Sequence, residues 1–303
     1  MQMLAAALAV ASSHAFVAPR GSTVHAPSTR LSSSVWYDAQ PQRRALIAGN
    51  WKLNPSSIQE ADGLAKGVAS LLGDETCASS SAADCTEVVV FPPFPFISSV
   101  VDDLAGLGVG VGAQSIFHTA ESGAYTGAVS ASMVTSLGCQ YVLCGHSERR
   151  TVFKDDDEAI NKKVLKVIED GMRPVLCIGE TEEEYDAGLC ADVCKLQLAK
   201  DLAGVSAAAM KDVVIAYEPV WAIGTGVTAS PEQAQETHAA IRKWIAKECG
   251  QAVADGIRIQ YGGSANAANA PELSACPDVD GFLVGGASLK PEFADIVKAI
   301  SAA

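Results

Sequence analysis

"VVIAYEPVWAIGTGVTASPEQAQETHAAIRKWIAKE", residues 213–248, holds a complete strand–loop–helix unit. An apolar run stops at an acid, Glu218, and a proline, Pro219. A segment bracketed by Gly224 and Gly226 comes next. Ser230 then opens a helical pattern as N-cap, with Pro231 in the first turn and Gln233 three residues on. Ala234, His238, Ile241 and Ile245 recur at helical spacing. The apolar run does not alternate with polar residues. That is the pattern of a strand covered on both faces, as in a parallel sheet.

The same unit recurs outward from this stretch. Eight apolar runs follow one another from Ala45: "ALIAGN", "EVVVFP", "GVGVGA", "YVLCGH", "RPVLCIGE", "VVIAYEP", "IRIQYGG" and "DGFLVGG". Helical stretches such as "SSIQEADGLAKGVASLL" (56–72) and "DEAINKKVLKVIED" (157–170) separate them. Eight strand–helix units over about 255 residues predict an α/β fold, a single (β/α)8 barrel over 45–303. A doubly wound open sheet is the alternative. It normally carries G-x-G-x-x-G after its first strand, and "AGNWKLNPS" does not.

Residues 1–44 are of another kind. "MLAAALAVA" is a short apolar stretch, and "SSHAFVAPRGSTVHAPSTRLSSS" is rich in Ser and Thr, carries Arg20 and Arg30, and lacks acids. We read residues 1–44 as a disordered signal- and transit-like extension. "HAFVAP" resembles the junction of bipartite presequences in algae with secondary plastids. That implies a plastid address, with mitochondrion, endomembrane or cytoplasm as alternatives.

The chain has 303 residues, 49% of them apolar, and a formal charge of −13. The acidic balance argues against a nucleic-acid partner bound through a basic surface. No apolar run in the body is long enough to span a bilayer. An anionic substrate would need local devices, such as backbone N–H groups or a single lysine. The nine cysteines show no zinc-ligand spacing. Cys144 and Cys177 lie in apolar runs and read as buried. Cys190 and Cys194 stand one helical turn apart. Cys77 and Cys85 bracket the polar loop "ASSSAAD", where they form either a redox-responsive hairpin disulfide or two exposed thiols.

Chemistry in such a barrel sits at the C-terminal ends of the strands. Strand one ends with Asn50 and Lys52, which point the same way if the chain stays extended. Strand four ends at His146 and strand six at Glu218, while strands seven and eight end in "YGGS" and "VGGAS". Each alone also fits a solvated charge, a structural histidine or a tight turn. Together they place a cation, an imidazole, a carboxylate and two glycine pairs at one mouth.

The motifs "AGNWKLN", "YVLCGHSERR", "AYEPVWAIGTG", "QYGGS" and "GFLVGGASL", in this order, resemble the triosephosphate isomerase family over essentially all of 45–302. The resemblance implies interconversion of dihydroxyacetone phosphate and D-glyceraldehyde 3-phosphate. Glu218 would be the base, His146 a neutral electrophile, Lys52 an electrostatic stabiliser, and Asn50 a hydrogen-bonding support. Gly224, Ser264, Gly285 and Gly286 would hold the phosphate. Pro219, Val220 and Trp221 would form the first hinge of a lid. Ala222, Ile223, Gly224, Thr225 and Gly226 would be its tip, and Val227, Thr228 and Ala229 its second hinge. No metal and no cofactor are implied. The family is usually a homodimer whose third loop, here "QSIFHTAESGAYTGAVS", enters the neighbour near Thr126. Ser115, Ala128 and Val227 depart from the family's common Asn, acid and basic residue. The first two bear on the dimer's salt bridges and the third on lid kinetics. A phosphate-sugar epimerase or lyase would need metal ligands or a Schiff-base lysine at other strand ends. A non-catalytic scaffold would not need all of Asn50, Lys52, His146 and Glu218.

Overall fold

The computed structural model describes residues 43–72 and 85–301. All eight expected strands are present: β1 (Leu46–Asn50), β2 (Glu87–Phe91), β3 (Val109–Ala113), β4 (Tyr141–Cys144), β5 (Arg173–Ile178), β6 (Val214–Tyr217), β7 (Arg258–Tyr261) and β8 (Gly281–Val284). They pair in parallel, in sequence order, and β8 returns to β1 to close a barrel. Helices run between the strands. They are α1 (Ile58–Leu72), α2 (Ile97–Leu104), α3 (Ala131–Ser136), α4 (Ser147–Thr151), α5 (Asp157–Glu169), α6 (Glu182–Asp186), α7 (Cys190–Asp201), α8 (Pro231–Cys249), α9 (Gln251–Gly256), α10 (Ala270–Ser274) and α11 (Glu292–Ser301). Among the described residues, no helix is long and apolar enough to cross a membrane.

The continuous apolar runs have a direct cause. Successive side chains on a strand point to opposite faces, and here both faces are dry. Leu46, Ala48, Val89, Phe91, Leu143, Val175, Cys177, Val214 and Ala216 pack together in one cluster that fills the barrel interior. Their neighbours Ile47, Val88, Val90, Val142, Leu176 and Ile215 join a second cluster with the helices. The β7–β8 junction is the thinnest part of the wall, with Tyr261 paired to Phe282. Buried Gln260 reinforces it, donating from Nε2 to the carbonyls of Leu46 and Phe282. At the opposite end from the mouth, Arg258 donates to Glu87 and to the Tyr141 hydroxyl, and Tyr141 donates to Glu87.

Helix α8 follows its sequence signals closely. Ser230 and Gln233 form a reciprocal capping box with Pro231 in the first turn. Ala234, His238, Ile241 and Ile245 are buried, as their spacing predicts.

The closing seam yields a sharp stability prediction. Gly281 has φ +149° and pairs with Leu46 across the seam. A Cβ there would lie 1.9 Å from the Leu46 carbonyl oxygen and 2.8 Å from its carbon. Both obstacles are backbone, so the strands themselves must part. Gly281→Ala should destabilise the protein by about 3 kcal/mol or more. Chemical denaturation checks this, and a midpoint unchanged from the parent would contradict it.

Candidate active site

The mouth is built from strand ends. Strand β1 stops at Asn50, and the chain does not stay extended. Lys52 has φ +54°, a left-handed conformation rare for a residue with a Cβ. This corrects the expectation that Asn50 and Lys52 align by simple alternation. The turn is held in place from two sides. The Lys52 N–H donates to Asn50 Oδ1 at 3.0 Å. The Lys52 carbonyl accepts from Gln114 Nε2 at 2.7 Å, and the same amide donates to the Phe91 carbonyl. Lys52 Nζ reaches Glu148 Oε1 at 2.7 Å. Gly285 comes from the end of the neighbouring strand β8, where a Cβ would stand 3.4 Å from Lys52 Cε. The first and eighth strand ends therefore meet at this lysine.

His146 and Glu218 are in direct contact. His146 is the N-cap of α4, and its Nδ1 accepts from the Glu148 N–H at 3.1 Å. A ring nitrogen that accepts from a backbone N–H carries no proton, so the proton sits on Nε2 and the imidazole is neutral. The Glu148 carboxylate is also near Nδ1, but at 3.8 Å it is too far for a hydrogen bond. Nε2 lies 3.0 Å from Glu218 Oε1. Glu218 Oε2 accepts from the Ser147 N–H at 2.8 Å, in the first turn of α4. Both side chains are buried, Glu218 at 2% exposure and His146 at 5%. Strand β7 presses on the acid through Gly262, where a Cβ would fall 2.9 Å from Glu218 Cγ. Only glycine lets that strand end approach without displacing the carboxylate.

After Glu218 the chain makes a short 3-10 turn, Val220–Ala222. The Val220 N–H donates to the Glu180 carbonyl at 3.1 Å. Trp221 Nε1 and the Tyr217 hydroxyl both donate to Glu180 Oε1, at 2.8 and 2.9 Å. Of the expected tip, Gly224, Thr225 and Gly226 are exposed while Ala222 is buried, and the exposure continues through Val227 and Thr228 of the second hinge. Gly224 and Gly226 have positive φ, and Thr225 Oγ1 bridges the Trp221 carbonyl and the Val227 N–H. The far end is tied down where the Ala229 N–H donates to the Tyr261 hydroxyl at 3.2 Å. Ser264 Oγ donates to the Ala222 carbonyl at 2.6 Å, which brings the residue after the seventh-strand glycines against this segment. Gly286 opens a 3-10 turn after β8.

Thr126 stands apart from these groups, exposed in the loop after β3. That loop is held by ring packing, a backbone hydrogen bond and an ion pair to α5. The Phe117 and Tyr125 rings lie 4.7 Å apart, the Phe117 N–H donates to the Val129 carbonyl, and Glu121 pairs with Lys166. Arg149, which has no acid at Ala128, forms a two-pronged pair with Asp155 of its own chain. Ser115 accepts from buried Lys163. Cys85 is disulfide-bonded, and its expected mate Cys77 lies outside the described residues. The other seven described cysteines are free thiols.

The family model for triosephosphate isomerase matches residues 45–300. A triosephosphate isomerase of Pseudomonas putida (strain W619) is 47% identical over 258 residues, covering 85% of this chain and 98% of that protein. The enzyme of Chlorobium luteolum is 46% identical over 258 residues, covering 85% and 99%. That of Alkaliphilus oremlandii is 47% identical over 250 residues, covering 82% and 96%. The chain belongs to the triosephosphate isomerase family.

As a triosephosphate isomerase family member, the chain is an isomerase on a closed eight-stranded barrel. Several residues around its site escaped the sequence reading. Glu148 sits inside "HSERR" and joins Lys52 to the His146 cap. Glu180 ends the fifth apolar run, so reading that strand end as closely as the others would have exposed it. Gln114, Tyr217 and Tyr261 gave no signal of their own, because their roles rest on partners supplied by other strands.

Proposed function

We propose that this mouth interconverts dihydroxyacetone phosphate and D-glyceraldehyde 3-phosphate by moving a proton between adjacent carbons. Glu218 takes the proton from the carbon beside the carbonyl. The carbonyl becomes an enediolate, and Glu218 returns the proton to the neighbouring carbon. His146 donates from Nε2 to the substrate oxygens and shuttles their hydroxyl protons as a neutral imidazole. Lys52 stabilises the developing oxyanion, and Asn50 supports the same region. The observation that carries this reading is the pairing of a buried carboxylate with the protonated Nε2 of an imidazole whose Nδ1 is already engaged as an acceptor.

Backbone N–H groups of Gly224, Ser264, Gly285 and Gly286 would receive the phosphate, a device suited to an acidic chain. Residues 219–229 would close as a lid, keep water out and stop the enediolate from losing phosphate. No cofactor or metal is invoked.

The chain would work as a homodimer, with Thr126 reaching the neighbour's Asn50 and Lys52. Exposed Leu53, Tyr125, Met133, Val152 and Phe153 support an interface around these loops. Residues 1–44 would act as a targeting presequence and 45–303 as the catalytic barrel. A plastid address fits best, with mitochondrion and cytoplasm as alternatives. The reaction would then serve glycolysis, gluconeogenesis and, in a plastid, the Calvin cycle. Disulfide formation between Cys77 and Cys85 would respond to redox state.

A coupled isomerase assay in both directions tests the reaction, and sedimentation tests the assembly. Turnover of both trioses by a species with the mass of two chains is expected. A folded chain without turnover would overturn the catalytic reading, and a monomer with full activity would overturn the dimer.

A further inference from the structure

One buried titratable side chain behind the mouth has no part in the chemistry above. His238 of α8 is fully buried. Its Nδ1 lies 3.0 Å from the Asp278 carbonyl. A carbonyl only accepts, so Nδ1 carries the proton and fixes the tautomer. Nε2 is buried with no hydrogen-bond partner among the described residues. Burial pushes the imidazole pKa down to about 4, so the ring is uncharged at neutral pH.

The ring sits against two tyrosines. Its centroid is 5.8 Å from that of Tyr217, edge-on at 88°, and 6.4 Å from that of Tyr261, tilted by 34°. Both separations are in the range of aromatic pairing. Tyr217 and Tyr261 occupy matched positions on β6 and β7. Each holds a different end of the segment over Glu218. Tyr217 shares the Glu180 carboxylate with Trp221 in the first hinge. Tyr261 accepts from the Ala229 N–H in the second. His238 touches both anchors.

We propose that His238 is a positioning residue for the lid: locked by Asp278, its ring braces Tyr217 and Tyr261 together, so that the hinges at 219–221 and 227–229 move in step. The inference rests on the isomerase reading above, since a lid needs a phosphate-bearing substrate to close on. In a close-packed interior a tyrosine ring cannot tilt without its neighbour following. Without the brace, each hinge moves alone and the lid opens before the enediolate is protonated. The electron pair of the exposed enediolate then expels phosphate from C3, leaving an enol that takes up a proton at C3 and gives up its hydroxyl proton to become methylglyoxal.

Two variants of the full chain separate this role from plain packing. His238→Phe keeps a ring and loses the donor to Asp278. His238→Asn keeps an N–H and loses the ring. Both should raise the inorganic phosphate released per isomerisation by about tenfold. Turnover of phosphate-free glyceraldehyde, which gives the lid no phosphate to close on, should change by less than about twofold. An unchanged release ratio, with both substrates slowed by one common factor, would overturn the proposal and leave His238 as core packing. Should neither variant fold, the unsubstituted chain decides. The His238 Nδ1 proton resonance should shift when glycerol 3-phosphate is added, and a stationary signal at saturation overturns the brace. Absence of isomerisation by the unsubstituted chain would defeat the isomerase reading first, and the lid proposal with it, before any variant is made.

Discussion

Glu218→Gln should lower kcat by about 10²–10⁴-fold while the protein stays folded. The amide has nearly the shape of the carboxylate, so the space between Ser147 and His146 remains filled. It cannot take up a proton from carbon, and a general base contributes roughly that factor. Glu218→Asp asks a different question, because it keeps the base but withdraws it by one methylene. A displacement on the order of 1 Å costs about 10²-fold in a positioned reaction. Both variants should keep the near-ultraviolet circular dichroism of the parent. Near-parental kcat in Glu218→Gln would remove Glu218 from the mechanism.

Lys52→Met should lower kcat/KM by about 10²–10³-fold, the scale for removing one group that stabilises a developing oxyanion. Methionine keeps most of the unbranched stem that passes Gly285 and removes only the charge. The left-handed backbone at Lys52 is held by Asn50 Oδ1 and Gln114 Nε2, neither of which contacts the ammonium group, so the turn should survive. Its partner Glu148 keeps 47% of its side chain exposed, and losing such a pair costs about 1 kcal/mol or less. The variant should therefore separate activity from stability. Steady-state kinetics beside thermal unfolding check this, and a loss of stability without loss of activity would make Lys52 a structural cation.

The barrel was legible because its physics is local. A strand covered on both faces must be apolar at every position, and eight such runs leave few closed solutions. The cap of α8 was legible for the same reason, since Ser230, Pro231 and Gln233 act within one turn. The nearness of His146 to Glu218 at strand ends was legible because strand ends converge in such a barrel. The conformation of Lys52 was not legible. A left-handed lysine leaves no trace in composition, and its support, Gln114, lies 62 residues away. Glu180 and Trp221 are 41 residues apart and meet only because β5 and β6 are neighbours. His238 read correctly as a core position, yet its two tyrosine partners come from separate strands. Ser115 and Ala128 looked like losses. Lys163 uses the serine, and Arg149 has Asp155 in its own chain.

The most direct test of the account is the fate of hydrogen during turnover in D2O. A carboxylate that lifts a proton from carbon can exchange it with solvent before returning it. Glyceraldehyde 3-phosphate formed from dihydroxyacetone phosphate should then carry deuterium at C2 by proton NMR, and Glu218→Gln should slow exchange and turnover together by about 10²–10⁴-fold. Product that retains hydrogen alone at C2, formed at the parental rate by Glu218→Gln as well, would mean direct transfer between the carbons and would contradict Glu218 as the base.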